Sequence, residues 1–145
     1  MVMRDPSSVL AAALAARRAA YAPYSNFLVG AALIGRDGRL YTGANIENAS
    51  FGLSMCAERV ALYTAVSAGQ RAFEAIAIAG PDGVTTMPCG ACRQVLAEFN
   101  MGLRIIYVDH GQLKMTTLAQ LLPEAFTPQV LNDASQTNVR GRGML

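Results

Sequence analysis

Cys56-Ala57-Glu58-Arg59 opens, and Pro88-Cys89-Gly90-Ala91-Cys92-Arg93-Gln94 closes, the stretch on which the reading of this chain turns. From Cys56 to Ala68 the residues Val60, Tyr63, Thr64 and Ser67 recur by threes and fours, a helical period, until Gly69 stops it. Phe73 to Ala79 then reads as a strand that ends at the turn Pro81-Asp82-Gly83, and Gly90 to Phe99 as another helix. Helix, strand and helix in succession point to an α/β chain. All three cysteines of the protein fall at or near the starts of those two helices.

The flanks extend the pattern. Pro6-Ser7-Ser8 offers an N-cap before Val9 to Ala20, rich in alanine, leucine and arginine, and Pro23 forbids continuation. Phe27 to Ile34 suits a buried strand, and Asp37-Gly38 is the turn of a hairpin into Leu40-Tyr41-Thr42. Gly43 to Ser54, full of Asn, Gly and Ser, reads as a loop. Arg104 to Val108 is a further strand, Thr116-Thr117 caps a short helix through Leu122, and Pro123 ends it. Residues after Pro128 look polar and loosely specified. The order α, β, β, α, β, α, β, α predicts one sheet with helices packed on its faces.

Length and composition narrow the possibilities. A chain of 145 residues suits one domain with a sizeable core. Hydrophobic residues make up 52% and charged ones 15%, and the mean hydropathy is +0.27. That is apolar for a small monomer, so oligomerisation is expected. Arg17 and Arg18 interrupt the alanine-rich stretch from Leu10 to Ala20, which argues against a membrane span, and the first residues lack the pattern of a secretory leader. A cytoplasmic location is the expectation. Net charge is +2 with no basic block, which gives a polyanion little hold; Arg140 and Arg142, the one local cluster, read as a solvated tail.

An odd number of cysteines, two of them in a C-x-x-C, suggests metal or redox chemistry in place of a disulfide framework. Thiolates at Cys56, Cys89 and Cys92 can hold one zinc ion and leave the fourth tetrahedral position to water, the layout of a catalytic site. The positive ends of two helices stabilise anionic sulfur. Three thiolates give the metal a formal charge of −1, and Arg59, three residues after Cys56, can offset it by donating to sulfur. Glu58 beside them can move protons. Arg93 reads as structural or surface. Three rivals stand beside this reading. One is a redox protein built on Cys89 and Cys92, another a structural zinc module with His110 as fourth ligand, and the last a polynucleotide-modifying zinc enzyme.

Beyond the cysteines, Tyr21-Ala-Pro-Tyr-Ser-Asn-Phe-Leu-Val-Gly-Ala-Ala-Leu33, Gly43-Ala-Asn-Ile-Glu-Asn-Ala-Ser50 and Leu122-Pro-Glu-Ala-Phe126 complete a set that resembles the small homotetrameric cytidine deaminases from about Ala20 to Pro128. Cys56 stands where the general zinc-deaminase pattern has histidine. The resemblance implies a single three-layer α/β/α domain, 1–128, around a central mixed sheet of about five strands, with 129–145 a tail of unknown role. It implies one zinc ion per subunit on Cys56, Cys89 and Cys92, with Glu58 as the catalytic proton carrier. The implied substrate contacts are Phe27 on the base, Asn45 and Glu47 on the sugar, Ala57, and Phe126 from a neighbouring subunit. The implied reaction is hydrolytic deamination of cytidine and deoxycytidine in pyrimidine salvage, by a homotetramer with sites at subunit interfaces. Blasticidin-type deaminases share the cysteine pattern, and Asn45-Ile46-Glu47-Asn48 favours a nucleoside. Leu28 stands where the family often has proline, and the tail runs past the usual end.

Overall fold

Asp5, and not Ser7 or Ser8, caps the first helix of the computed structural model, which describes residues 4–141. Helix α1 (Pro6–Ala16) begins on a proline, whose fixed φ and missing N–H suit the first helical position, and Ser7 N–H donates to Asp5 Oδ1 at 3.4 Å. A 3-10 turn over Arg17–Ala19 continues it before Pro23. Its inward face, Val9, Leu10 and Ala13, packs on Ala32, Ile34, Ala75, Ala77, Ala79 and Ile106. Contact is close enough that a Cβ on Gly30 would lie 2.0 Å from the Ala13 carbonyl oxygen.

Strands β1 (Gly30–Gly35), β2 (Leu40–Ala44), β3 (Phe73–Ala79), β4 (Arg104–Asp109) and β5 (Gln112–Thr117) form one mixed sheet in the order β2-β1-β3-β4-β5. Only β3 and β4 run parallel, joined through α3 (Gly90–Ala97). The second face carries Ala31, Leu33, Ile76, Ile78 and Ile105 against Ala57, Ala61, Leu62 and Ala65 of α2 (Ala57–Ser67) and Leu96 and Ala97 of α3. Residues of β3 alternate, alanines towards α1 and isoleucines towards α2 and α3. Both faces are covered, which explains why the central strands are almost continuously apolar. The expected three-layer arrangement of five strands is the observed one.

Topology places the site. Gly30, the first residue of β1, pairs with Ala44 at the end of β2 and with Ala79 at the end of β3. The segment entering β1, the segment leaving β2 and the loop leaving β3 therefore meet at one end of the sheet. The starts of α2 and α3 lie on those same connections.

Three local expectations are corrected. Strand β1 starts at Gly30 and not Phe27, because Val29 N–H is taken by the Asn45 side chain (2.9 Å) in place of a strand partner. Strand β5 was not expected, and it includes Thr116 and Thr117, read as a helix cap. It returns from β4 through His110 and Gly111, both at positive φ (48° and 77°), as a two-residue hairpin requires. Thr117 still caps α4 (Leu118–Leu121), in a capping box with Gln120. Finally, the segment after Pro128 is helix α5 (Pro128–Gly141) from a proline start, with residues 129–137 exposed. Arg140 belongs to this helix, while Arg142 lies outside the described residues.

Candidate active site

Cys56 and Cys89 are the N-cap residues of α2 and α3, and neither side chain caps its own helix. Both sulfurs turn towards each other, with Sγ atoms 3.7 Å apart. Cys92, in the first turn of α3 and buried, brings its Sγ to 3.4 Å from that of Cys89. All three lie within 4.8 Å of one another. Tetrahedral coordination at the usual Zn–S length of 2.3 Å requires sulfurs about 3.8 Å apart. The two separations that involve Cys89 lie within a few tenths of an ångström of that value, and soft thiolate donors are a set that zinc prefers.

The surroundings favour thiolate at Cys56. The Cys56 thiol is pulled down to about 5, first by its contact with Cys92 and then by Arg59, whose Nη2 donates to Cys56 Sγ at 3.4 Å. Cys92 is pushed upwards by the same contact, by burial and by Glu58. Arg59 Nε is buried without a partner among the described residues, so the guanidinium has a donor to spare beside the sulfurs. The contact with Cys56 is the one that the spacing of Arg59 predicts.

Glu58 is the one buried charged residue among those described, 4% exposed. Burial raises its carboxyl above the ordinary range, with Cys92 opposing as a hydrogen-bond partner and anionic Cys56 adding to the rise. A carboxyl raised in this way holds a proton more readily than a surface glutamate.

Facing the sulfurs is a cavity of about 370 Å³ lined by Phe27, Asn45, Glu47, Ala57 and Glu58, together with Cys56, Cys89, Ser25, Val29, Thr86 and Met87. Expected residues from three separated segments therefore converge on one space. Asn45 Nδ2 donates to the Phe27 carbonyl (2.8 Å) while its Oδ1 accepts Val29 N–H. Its amide holds the approach to β1 and keeps one hydrogen and one lone pair free. Phe126 is elsewhere, 57% exposed, with its carbonyl accepting from Gln94 Nε2.

Sequence reasoning passed over Ser25, Thr86 and Met87, whose place depends on long-range convergence, and undervalued Arg93. Arg93 Nε donates to the Pro88 carbonyl (2.8 Å) and Nη1 to that of Leu121 (2.9 Å), so it holds the residue before Cys89 against the end of α4. Its position one residue after a ligand was the available signal. His110 is excluded as a ligand, since its side chain is 93% exposed, its Nδ1 is 2.9 Å from Asp109 Oδ1 and it lines a different cavity with Leu14 and Val108. A third sulfur converging on the C-x-x-C pair also sets this site apart from a dithiol redox motif.

Known proteins resemble most of the chain. The family described as the cytidine and deoxycytidylate deaminase zinc-binding region matches residues 3–108. The cytidine deaminase of Sporosarcina psychrophila is 45% identical over 134 residues, covering 91% of this chain and 98% of that protein. That of Halalkalibacterium halodurans is 47% identical over 131 residues, 89% and 99% of the two chains. The crystal structure of cytidine deaminase from Burkholderia pseudomallei superimposes with a TM-score of 0.79 at 48% identity, over 83% of this chain and 98% of that one. With its three sulfurs spaced for zinc and its mixed five-stranded sheet, the chain belongs to the cytidine and deoxycytidylate deaminase family of zinc-binding proteins.

Proposed function

We propose that the protein hydrolyses cytidine and deoxycytidine to uridine and deoxyuridine with release of ammonia. One observation carries the reading: a single cavity joins Cys56, Cys89 and Glu58 to Asn45, Glu47 and Phe27. A sulfur–carboxylate pair alone would suit many hydrolases, and the amide, carboxylate and aromatic ring opposite it suit a sugar joined to a flat base. The relatives named above are cytidine deaminases.

Cys56, Cys89 and Cys92 would hold the zinc ion, which would supply the Lewis acidity that makes a water molecule easier to deprotonate. Glu58 takes one proton of that water and delivers it to ring N3. As the oxygen bonds to C4, Glu58 receives the second proton and passes it to the departing amine. The C4–N bond breaks, ammonia leaves, and Glu58 ends in the state in which it began. Arg59 keeps the sulfur cluster neutralised, and Ala57, fully buried, presents a small wall against which the base fits. Phe27, 40% exposed at the cavity, packs on the base, a contact worth about 1–3 kcal/mol for stacked bases. Asn45 and Glu47 bind the sugar hydroxyls.

The same proposal includes a cytoplasmic homotetramer acting in pyrimidine salvage. Tyr21, Tyr24, Ile46, Phe51 and Leu53 are all about half exposed or more, with Phe51 at 72% and Leu53 at 70%. Backbone bridges join Tyr21 to Ile46 and Ile46 to Met55, and the rings of Tyr24 and Phe51 meet edge to face at 5.5 Å. An apolar surface this continuous beside a cavity favours cover by another subunit, and Phe126, exposed and away from its own cavity, is available to a neighbour's. The domain is assigned to 1–128 and the segment 129–145 to a separate tail.

Following the ultraviolet band of free cytidine tests the reading, with Glu58→Gln and a single-stranded polynucleotide in parallel. Expected are turnover of the free nucleoside, a loss of at least about 10²-fold in Glu58→Gln with zinc content kept, and no editing of the strand. Editing of the strand with cytidine untouched would assign the chain to polynucleotide deamination.

A further inference from the structure

The carboxylate proposed to bind the sugar is held by more than its own rotamer. Residues Ala22 to Asn26 close a turn through Asn26 N–H to the Ala22 carbonyl (3.0 Å), with Asn26 at φ 54°, a left-handed conformation that asparagine tolerates. The turn aims two successive backbone N–H groups, of Tyr24 (2.9 Å) and Ser25 (3.1 Å), at Glu47 Oε1. Consecutive N–H groups converging in this way form an anion-binding concavity. The Ser25 hydroxyl donates to the other oxygen, Oε2, at 2.5 Å.

That hydroxyl is also an acceptor, taking Phe27 N–H at 3.0 Å. A serine has one proton to give, and with Phe27 donating to its oxygen, that proton is directed to Glu47. One side chain therefore ties the carboxylate to the backbone of the aromatic residue beside it. Glu47 is held below the ordinary carboxyl range, first by the Ser25 hydroxyl and then by the two N–H groups. As an ionised acceptor it retains a lone pair, on Oε2, for a hydroxyl of a ligand. The Asn45 amide fixes the other side of Phe27 through its carbonyl.

We propose that Ser25 is a positioning residue for the nucleoside, its hydroxyl orienting the sugar-binding carboxylate of Glu47 in the cavity that Phe27 also lines. The proposal rests on the reading of Glu47 and Phe27 given above. Ser25 acts through Glu47, so removing its hydroxyl weakens capture of a substrate with sugar hydroxyls and leaves the proton steps at Glu58 alone.

The test compares kcat and KM of wild type, Ser25→Ala, Ser25→Thr, Glu47→Ala and the double variant Ser25→Ala/Glu47→Ala. Cytidine and 2′,3′-dideoxycytidine, which lacks both secondary sugar hydroxyls, serve as substrates, and thermal unfolding monitors the fold. Loss of one charge-assisted hydrogen bond is expected to raise the KM for cytidine about tenfold in Ser25→Ala with kcat nearly unchanged. Ser25→Thr should recover most of the affinity. In the Glu47→Ala background, and on dideoxycytidine, Ser25→Ala should change nothing. An equal loss on both substrates, or a full further loss in the Glu47→Ala background, overturns the proposal and leaves Ser25 a turn residue. An unchanged KM for cytidine in Ser25→Ala overturns it as well. Wild-type protein inert towards cytidine, or Glu47→Ala with an unchanged KM, overturns the reading of the site beneath it, and these outcomes are read from variants in which Ser25 is intact.

Discussion

Gly43 lies in β2 directly beneath the first turns of α2, and replacing it by alanine tests whether the sheet sets the position of the active-site helix. A Cβ there would stand 2.5 Å from Ala61 N, 2.6 Å from the Ala57 carbonyl oxygen and 3.0 Å from the Val60 carbonyl carbon. Ordinary contacts begin at 3.4 Å, so α2 must retreat by about 0.9 Å. Every atom in the way belongs to the backbone, so no rotamer change relieves the clash. Overpacking of this kind costs about 1–3 kcal/mol, or roughly 4 °C of melting temperature per kcal/mol for a chain of this size. The larger effect is on chemistry. Cys56 and Glu58 move with α2 while Cys89 and Cys92 stay with α3, and a displacement near 0.9 Å exceeds the tolerance of about 0.2 Å in metal–ligand distances. Misplacement of reacting groups by about 1 Å costs on the order of 10²-fold in rate. The assay pairs thermal unfolding and zinc content with kcat/KM for cytidine, with wild type as the comparison. Gly43→Ala with full zinc and wild-type kcat/KM would refute the claim that the β2–α2 contact positions the site.

Two further outcomes follow from the same structure. His110→Ala should leave zinc content unchanged in a metal assay, and loss of the ion would support a structural four-ligand site instead. Asp109 accepts from Lys114 Nζ (2.6 Å) and Thr85 Oγ1 (2.7 Å) and faces His110, which together hold its carboxyl down to about 2, Lys114 first. A folded-state value below the unfolded one contributes stability above the unfolded value of about 4, and the contribution disappears as pH falls through about 2. Asp109→Asn should therefore melt below wild type at neutral pH, with the gap closing across that acid window. A gap that widens on acidification would reverse the argument.

What could be read before folding, and what could not, follows from the range of each interaction. The sulfurs were legible because Cys89 and Cys92 are three residues apart at a helix start, a spacing that puts both on one side whatever the remainder does. Glu58 and Arg59 were legible for the same reason, as immediate neighbours of Cys56. Ser25 was not, because its function is a contact 22 residues away with Glu47, and no local pattern marks it. Strand β5 was hidden by a hairpin turn of His110-Gly111, outside the usual Asn-Gly and Asp-Gly signals, and by an edge strand mostly exposed along its length. Helix α5 was missed because its exposed residues 129–137 show no buried stripe to announce a period. The tight register at Gly30 and Gly43 also appears only once the helices lie on the sheet.

The central claim, that three thiolates and Glu58 form a zinc-dependent site for a free pyrimidine nucleoside, is tested most directly by measuring cytidine turnover and bound zinc in one sample. The measurement is made before chelation, after chelation and after zinc is restored. The account predicts one zinc per chain, loss of turnover in step with loss of zinc, and recovery of both together. Turnover that survives removal of the metal, or a fully loaded protein that leaves cytidine unchanged, would contradict it.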